Sequence, residues 1–280
     1  MKKVSRAMAL LPTLFLVVVF LLIPLVMLFV TTLVTESGNP LEYYRSFFES
    51  SYSLNVLWRT VYIALTVTVI CVVLGVPTAY FISGLDNRWK NIMMAITVFP
   101  LLTNSVVRSF AWINILGQNG VVNQLLLSLK IIDQPLSLLY TEFAIIIGSV
   151  YLFLPTMITS LVGVMDNIDD EIVEAASSLG LNQLQTFIKV VVPLSISGII
   201  VGSILVYTGT LTAYTTPQLL GGNRNMVLAT YLRQSAMTLG DWQLASVIAV
   251  IMVVITVLVM WGLNKLAGRL DRRMYEGESL

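Results

Sequence analysis

The sequence predicts an all-α, polytopic membrane protein with six spanning helices. Of its 280 residues, 57% are hydrophobic and only 11% are charged, whereas a soluble domain carries about 25% charged residues. Mean hydropathy is +0.87. The apolar residues also fall in long runs that match the roughly 20 residues a helix needs to cross a bilayer core.

The same composition excludes several functions. There is no His, and the single Cys, Cys71, lies inside an apolar run. Disulfides, Cys/His metal sites, His general bases and Ser-His-Asp triads are therefore all ruled out, and Cys71 reads as a small buried side chain. No G-x-x-x-x-G-K-[ST] loop occurs, so the chain does not bind ATP through one. Net charge is +1, and no basic cluster rivals a nucleic-acid-binding patch, so no nucleic-acid partner is expected.

Met8 to Leu33 is free of charge and longer than the roughly 7–15 residues of a signal-peptide core. It is the first span, at 8–33, and spanning helices tolerate its Pro12 and Pro24. A polar segment follows, with a turn signal at Ser37-Gly38-Asn39-Pro40 and a short interfacial helix from Leu41 to Phe48, since aromatic residues collect at membrane boundaries. The second span is 56–82. The third is 92–116, running through Pro100 and Asn104. Val122 to Leu129 is an amphipathic piece that need not cross. The remaining spans are 143–165, with Pro155 inside, then 193–212 and 243–266. The whole chain, 1–280, reads as one transmembrane domain.

Orientation follows from the Lys and Arg residues. Lys2, Lys3, Arg6, Arg88, Lys90, Lys189, Lys265, Arg269, Arg272 and Arg273 share one side, against Arg45, Arg59, Arg108, Lys130, Arg224 and Arg233. The richer side is cytoplasmic, which places both termini and the 166–192 loop there.

That loop is unusual because it carries Asp166, Asp169, Asp170, Glu171 and Glu174 against Lys189. Asn167 or Asp169 is placed to cap a helix whose first turns hold the carboxylates. Ile172, Ala175, Ala176 and Leu179 share one face by their spacing, and its alanines let another surface come close. Gly180 is placed to end the helix in the left-handed region. Asn182 and Gln185 form a capping-box pattern for a second helix. Pro193 biases Val192 toward an extended form and so predicts a bend there.

The pattern Glu174-Ala175-Ala176-x-x-x-Gly180, closed after nine residues by Val190-x-Val192-Pro193, resembles the EAA signature of the membrane subunits of bacterial ABC importers. Val190 and Val192 stand where Ile and Leu are usual. Phe99 to Trp112, Leu138 to Ala144, Leu179 to Phe187, Pro193 to Ile200, Thr216 to Gly222 and Gly240-Asp241-Trp242 resemble the spermidine/putrescine permease branch. Permeases for iron, thiamine and phosphonates share much of the pattern.

The resemblance implies a type I ABC importer permease fold in a bacterial cytoplasmic membrane. It further implies a second, paralogous permease subunit, an extracytoplasmic substrate-binding protein and a pair of ATPase subunits that hold ATP and Mg. The chain itself would hold no cofactor and catalyse nothing. Its coupling residues would be Glu174, which meets the ATPase, Ala175, Ala176 and Leu179, which seat the helix, Gly180, which makes the turn, and Pro193, which joins it to a span.

Ionisable groups at span edges are candidates to line a path. Arg108 follows the Pro100–Asn104 stretch, while Arg59 reads as an interfacial snorkelling residue. A polycation path favours carboxylates and aromatic faces, which singles out Glu142, Asp241 and Tyr214, with Tyr140, Tyr207 and Trp242 nearby and Asn104 lining a polar gap. A secondary transporter or channel is a weaker reading, because the spans hold no carboxylate and no internal repeat is evident. A membrane enzyme is weaker still without His or paired carboxylates.

Overall fold

The structure, a computed structural model, describes residues 14–34, 39 and 41–277. The expected basic head at 1–6, the start of the first span with Pro12, and Ser37, Gly38 and Pro40 lie outside the described residues. Among the described residues the chain is helical, without strands. It forms two compact units, 1–55 with 231–254 and 56–230 with 255–280.

In the first unit, α1 (Leu14–Leu33) is a 20-residue apolar helix. It is followed by α2 (Glu42–Glu49), the expected interfacial helix. Tyr44 Oη donates to Thr32 Oγ1 at 2.9 Å and Phe47 is fully buried. Tyr231 sets its ring edge-on to Tyr52, and its hydroxyl shares a hydrogen bond with Ser53 Oγ.

The second unit is built on α3 (Ser51–Ser83) and α7 (Glu142–Met165). Its other helices are α4 (Asn87–Leu102), α5 (Ser105–Leu116), α6 (Val121–Ser128), α8 (Asp170–Ser178), α9 (Gln183–Leu194), α10 (Ile196–Thr212), α11 (Thr215–Leu220) and the first half of α12 (Leu228–Arg233). Helix α13 (Trp242–Gly277) closes the chain.

Helices α4, α10 and α11 pack against α7. In lipid no hydrophobic force draws helices together, so close van der Waals contact has to hold them. Met157 of α7, fully buried, sits between two glycines. A Cβ on Gly75 would lie 2.6 Å from its Cγ, and one on Gly202 would lie 2.6 Å from its Sδ. Gly198 and Gly202 form a small-xxx-small stripe on α10, of the kind that lets backbones approach closely. Missing side chains on α3 and α10 therefore make the room that Met157 fills.

Among the described residues, four helices are long and apolar enough to cross a membrane, and six spans result only if each of two bent pairs is one crossing. The expected third span is one of these pairs. It is not a continuous helix over 92–116, because α4 and the α5–α6 segment meet at 95°. Pro100 lies in the last turn of α4, and Thr103 and Asn104 are extended.

The fifth span is the second pair, with α9 and α10 meeting at 69°. Here the bend lies at Ser195, not at Val192, which is helical at φ −60, ψ −47. The five residues before it, Phe187–Val191, form a π-turn, whose wider ladder accommodates a proline that lacks an N–H. The chain turns only after Pro193, where the Ser195 N–H and Oγ–H both donate to Val191 O.

Gly202→Val forces Met157 toward Gly75 and is expected to destabilise the protein by about 1–3 kcal/mol, a typical overpacking cost. Thermal unfolding in detergent measures this. Adding Met157→Ala to Gly202→Val restores part of the loss, and an unchanged midpoint for Gly202→Val would contradict the contact.

Candidate functional site

The acidic loop folds into a hairpin of α8 and α9 held by local bonds. Asp169 occupies the N-cap of α8 but its side chain makes no capping bond. Asn167 is not the cap, because its amide donates back to Gly163 O at 2.7 Å. The C-terminal turn follows the expected pattern. Gly180 has φ +89, its N–H donates to Ser177 O, and Leu181 N–H donates to Ala176 O at 3.2 Å. These are the two bonds of a Schellman cap. Asn182 Oδ1 accepts from Gln185 N while Gln185 Oε1 accepts from Asn182 N, completing the capping box that starts α9.

The hairpin's exposure differs from the single face expected of Ile172, Ala175, Ala176 and Leu179. Ala176 is buried, while Glu174 and Ala175 are exposed. Leu179 is 86% exposed, Leu184 66% and Ile188 55%. Three large apolar side chains thus stand outward on a polar segment, whereas Thr186 and Val191 face the protein.

Beneath the hairpin lies a cavity of about 440 Å³, lined among others by Tyr80, Leu85, Lys90, Asp166, Val173 and Val191. Lys90 Nζ pairs with Asp166 Oδ1 at 2.6 Å across it. Tyr80 of α3 and Phe187 of α9 lie with ring centroids 5.1 Å apart.

Away from the hairpin, most of the expected path residues have bonds within the chain. Asn104 caps α5, its Oδ1 accepting from Val106 N and Val107 N. Arg108, only 8% exposed, donates from Nη1 to Pro100 O at 2.9 Å and Thr103 O at 3.4 Å. It thereby satisfies the carbonyls released where α4 stops. Glu142 Oε1 accepts from Arg59 Nε at 2.7 Å. Arg59 also donates to Met226 O and Arg224 O, which makes it a clamp on three segments, a stronger role than snorkelling. Asp241 accepts from Leu244 N and caps α13. Tyr214, at the N-cap of α11, is half-buried. Tyr207 is buried with its hydroxyl unpartnered.

Sequence reasoning passed over three residues. Thr60 Oγ1 accepts from Leu228 N at 2.8 Å, though nothing in its sequence context singles it out. Asn123, fully buried, donates to Gly117 O and Leu136 O and accepts from Leu136 N, so it ties the 129–139 loop to α5 and α6. A lone Asn on an amphipathic helix was the available signal. Gly202 was visible in the Gly198-x-x-x-Gly202 spacing.

A family model described as "Binding-protein-dependent transport system inner membrane component" matches residues 71–274. The spermidine/putrescine transport system permease protein PotB of Haemophilus influenzae is 29% identical over 260 residues, covering 89% of this chain and 91% of its own. PotB of Escherichia coli K12 is 29% identical over 262 residues, covering 90% and 95%. A bacterial ABC transporter involved in the import of the acidic polysaccharide alginate has a chain that superposes with TM-score 0.81 at 16% identity, covering 96% of this chain and 98% of that one. The same holds, at TM-score 0.81 and 16% identity, with coverage of 96% and 97%, for the alginate transporter solved with a periplasmic protein bound to an alginate pentasaccharide.

Arg108→Leu leaves the Pro100 and Thr103 carbonyls without that donor and is expected to destabilise the break by about 1–3 kcal/mol. Amide exchange across residues 100–107 should accelerate relative to the rest of the chain. Unchanged exchange in that segment would show that Arg108 does not hold the bend.

Proposed function

Because this chain belongs to the family of binding-protein-dependent transport system inner membrane components, we propose that it is one of two permease subunits forming the path of an ATP-driven polyamine importer. An extracytoplasmic substrate-binding protein delivers spermidine or putrescine. A second, paralogous permease completes the path. Two cytoplasmic ATPase subunits hold ATP and Mg and close on the α8–α9 hairpin of each permease. Both termini and the hairpin lie in the cytoplasm. The polyamine assignment is supported by the PotB relatives, which match about nine-tenths of the chain.

The observation that carries the coupling role is the outward ridge of Leu179, Leu184 and Ile188 around a turn built on Gly180. Exposed apolar groups on a water-facing hairpin cost free energy until a partner covers them. Leu179 at the tip is the anchor of this ridge, and exposed Ala175 lets a partner's backbone approach. Glu174 offers a charge beside it, and buried Ala176 lets α8 lie close to its own chain. Pro193 joins the hairpin to α10, whose 69° turn transmits its displacement into the membrane. Solute selection rests chiefly with the receptor. Glu142, Tyr214 and Asp241 are this chain's own candidates for passing contacts, with Asn104 and Arg108 shaping the break beside them.

Two variants test this. Gly180→Val places a branched side chain at φ +89, a conformation costing about 1–2 kcal/mol for L-residues, and distorts the turn. Glu174→Lys reverses the charge beside the ridge. Both are expected to insert normally but to lose uptake of radiolabelled spermidine while the complex still hydrolyses ATP. Normal uptake by either variant would refute the coupling role, and a co-purifying receptor that binds iron or thiamine instead of spermidine would refute the polyamine assignment.

A further inference from the structure

We infer that Lys90 and Asp166 form a tether through which the α8–α9 hairpin moves α4, the helix broken at its far end. This rests on the coupling role proposed above and adds the route by which the hairpin's displacement enters the membrane helices.

The placement of the two charges is the first argument. Lys90 closes the first turn of α4, and Asp166 is the C-cap residue of α7. A cation is disfavoured at a helix N-terminus and an anion at a C-terminus. Neither charge therefore serves its own helix. Each is offset by the other, at 2.6 Å, with side chains only 19% and 34% exposed. The pair is partly shielded on the Lys90 side, so water and salt loosen it less than a fully exposed pair.

The surroundings are the second argument. Asp166 ends α7 and lies four residues before α8 begins at Asp170, so it stands at the root of the hairpin. The hairpin buries Ala176, Thr186 and Val191 against the rest of the chain, yet a cavity of roughly 440 Å³ remains at its root. Among the described residues, the Lys90–Asp166 pair joins α4 to the root of the hairpin and the Tyr80–Phe187 ring contact joins α9 to α3. Packing transmits displacement where it is tight. Across a gap, displacement follows the attachments.

The far end of α4 is the third argument. There Thr103 and Asn104 are extended, the next helix leaves at 95°, and Arg108 holds the released carbonyls. A helix gripped at its first turn and jointed at its last can swing as a lever. Lys90 and Asp166 are therefore positioning residues. They touch neither solute nor nucleotide.

The test uses the full transporter in its native membrane. Lys90→Glu and Asp166→Lys are compared singly and together, since the double variant restores an opposite-charge pair. Each single variant should cut spermidine uptake per ATP hydrolysed by at least about tenfold, as expected when one member of a shielded pair is lost, with the ATPase still co-purifying. The double variant should recover most of the ratio. Singles with a normal ratio, or a double no better than the singles, would overturn the tether.

A second arm needs no solute. Lys90→Cys with Asp166→Cys, in a Cys71→Ser background, is treated with a short bifunctional thiol reagent in resting and in ATP/vanadate-trapped membranes. A tether that moves as one body cross-links equally in both states. Loss of cross-linking on trapping would refute it. Failure of the coupling role itself would show separately, as Glu174→Lys complexes that retain full uptake.

Discussion

A peptide group inside a bilayer has no water to bond, so every departure from helical geometry must bring its own donors and acceptors. This chain departs often, and its scarce polar side chains are used there. Where α4 stops, Arg108 takes two carbonyls and Thr103 Oγ1 donates to Pro100 O. Where α5 starts, Asn104 takes two amides. Arg59 binds the carbonyls of 224 and 226, and Thr60 binds the amide of Leu228. Asn123 does both for the loop at 136. A polar residue in a chain with 11% charged residues invites a reading as a solute contact. Here backbone satisfaction accounts for most of them first.

The α8–α9 hairpin obeys the same accounting by other means. Its turn is closed by the Schellman bonds at Gly180 and by the Asn182–Gln185 box, all within a few residues. These bonds close the turn from within, while Ala176, Thr186 and Val191 bury against the rest of the chain. Local closure suits the coupling role proposed for the hairpin, and it leaves Leu179, Leu184 and Ile188 outward. The membrane helices are the opposite case. Met157 lies pressed between Gly75 and Gly202, so α3, α7 and α10 share one tight contact.

These two regimes, local closure in the hairpin and shared packing in the bundle, are what would let the proposed ATPase act on a membrane path. The proposed ATPase grips a self-contained handle. The handle is joined to the bundle along the chain by Asp166 at the end of α7 and by Pro193 before α10, and across it by the Lys90–Asp166 and Tyr80–Phe187 contacts. The bundle then answers at its joints, the 95° and 69° breaks, where caps and not continuous ladders hold the backbone.

By itself the sequence determined the all-helical membrane class, the approximate spans, the turn at Gly180, the capping box and the family, because all of these rest on local pattern. Composition, the spacing of Glu174, Ala175, Ala176 and Gly180, and the Asn182–Gln185 pair are read within one or two turns of helix. Tertiary structure alone decided the break at Thr103, the bend at Ser195 in place of Val192, the partners of Arg59, Arg108 and Glu142, and the inward turn of Ala176. Each depends on groups distant in the chain or on a competition between nearby carbonyls. Arg59 meets Glu142 across 83 positions, and Thr60 meets Leu228 across 168. Helical periodicity shows which face a residue occupies, but only the packed chain shows what lies opposite that face.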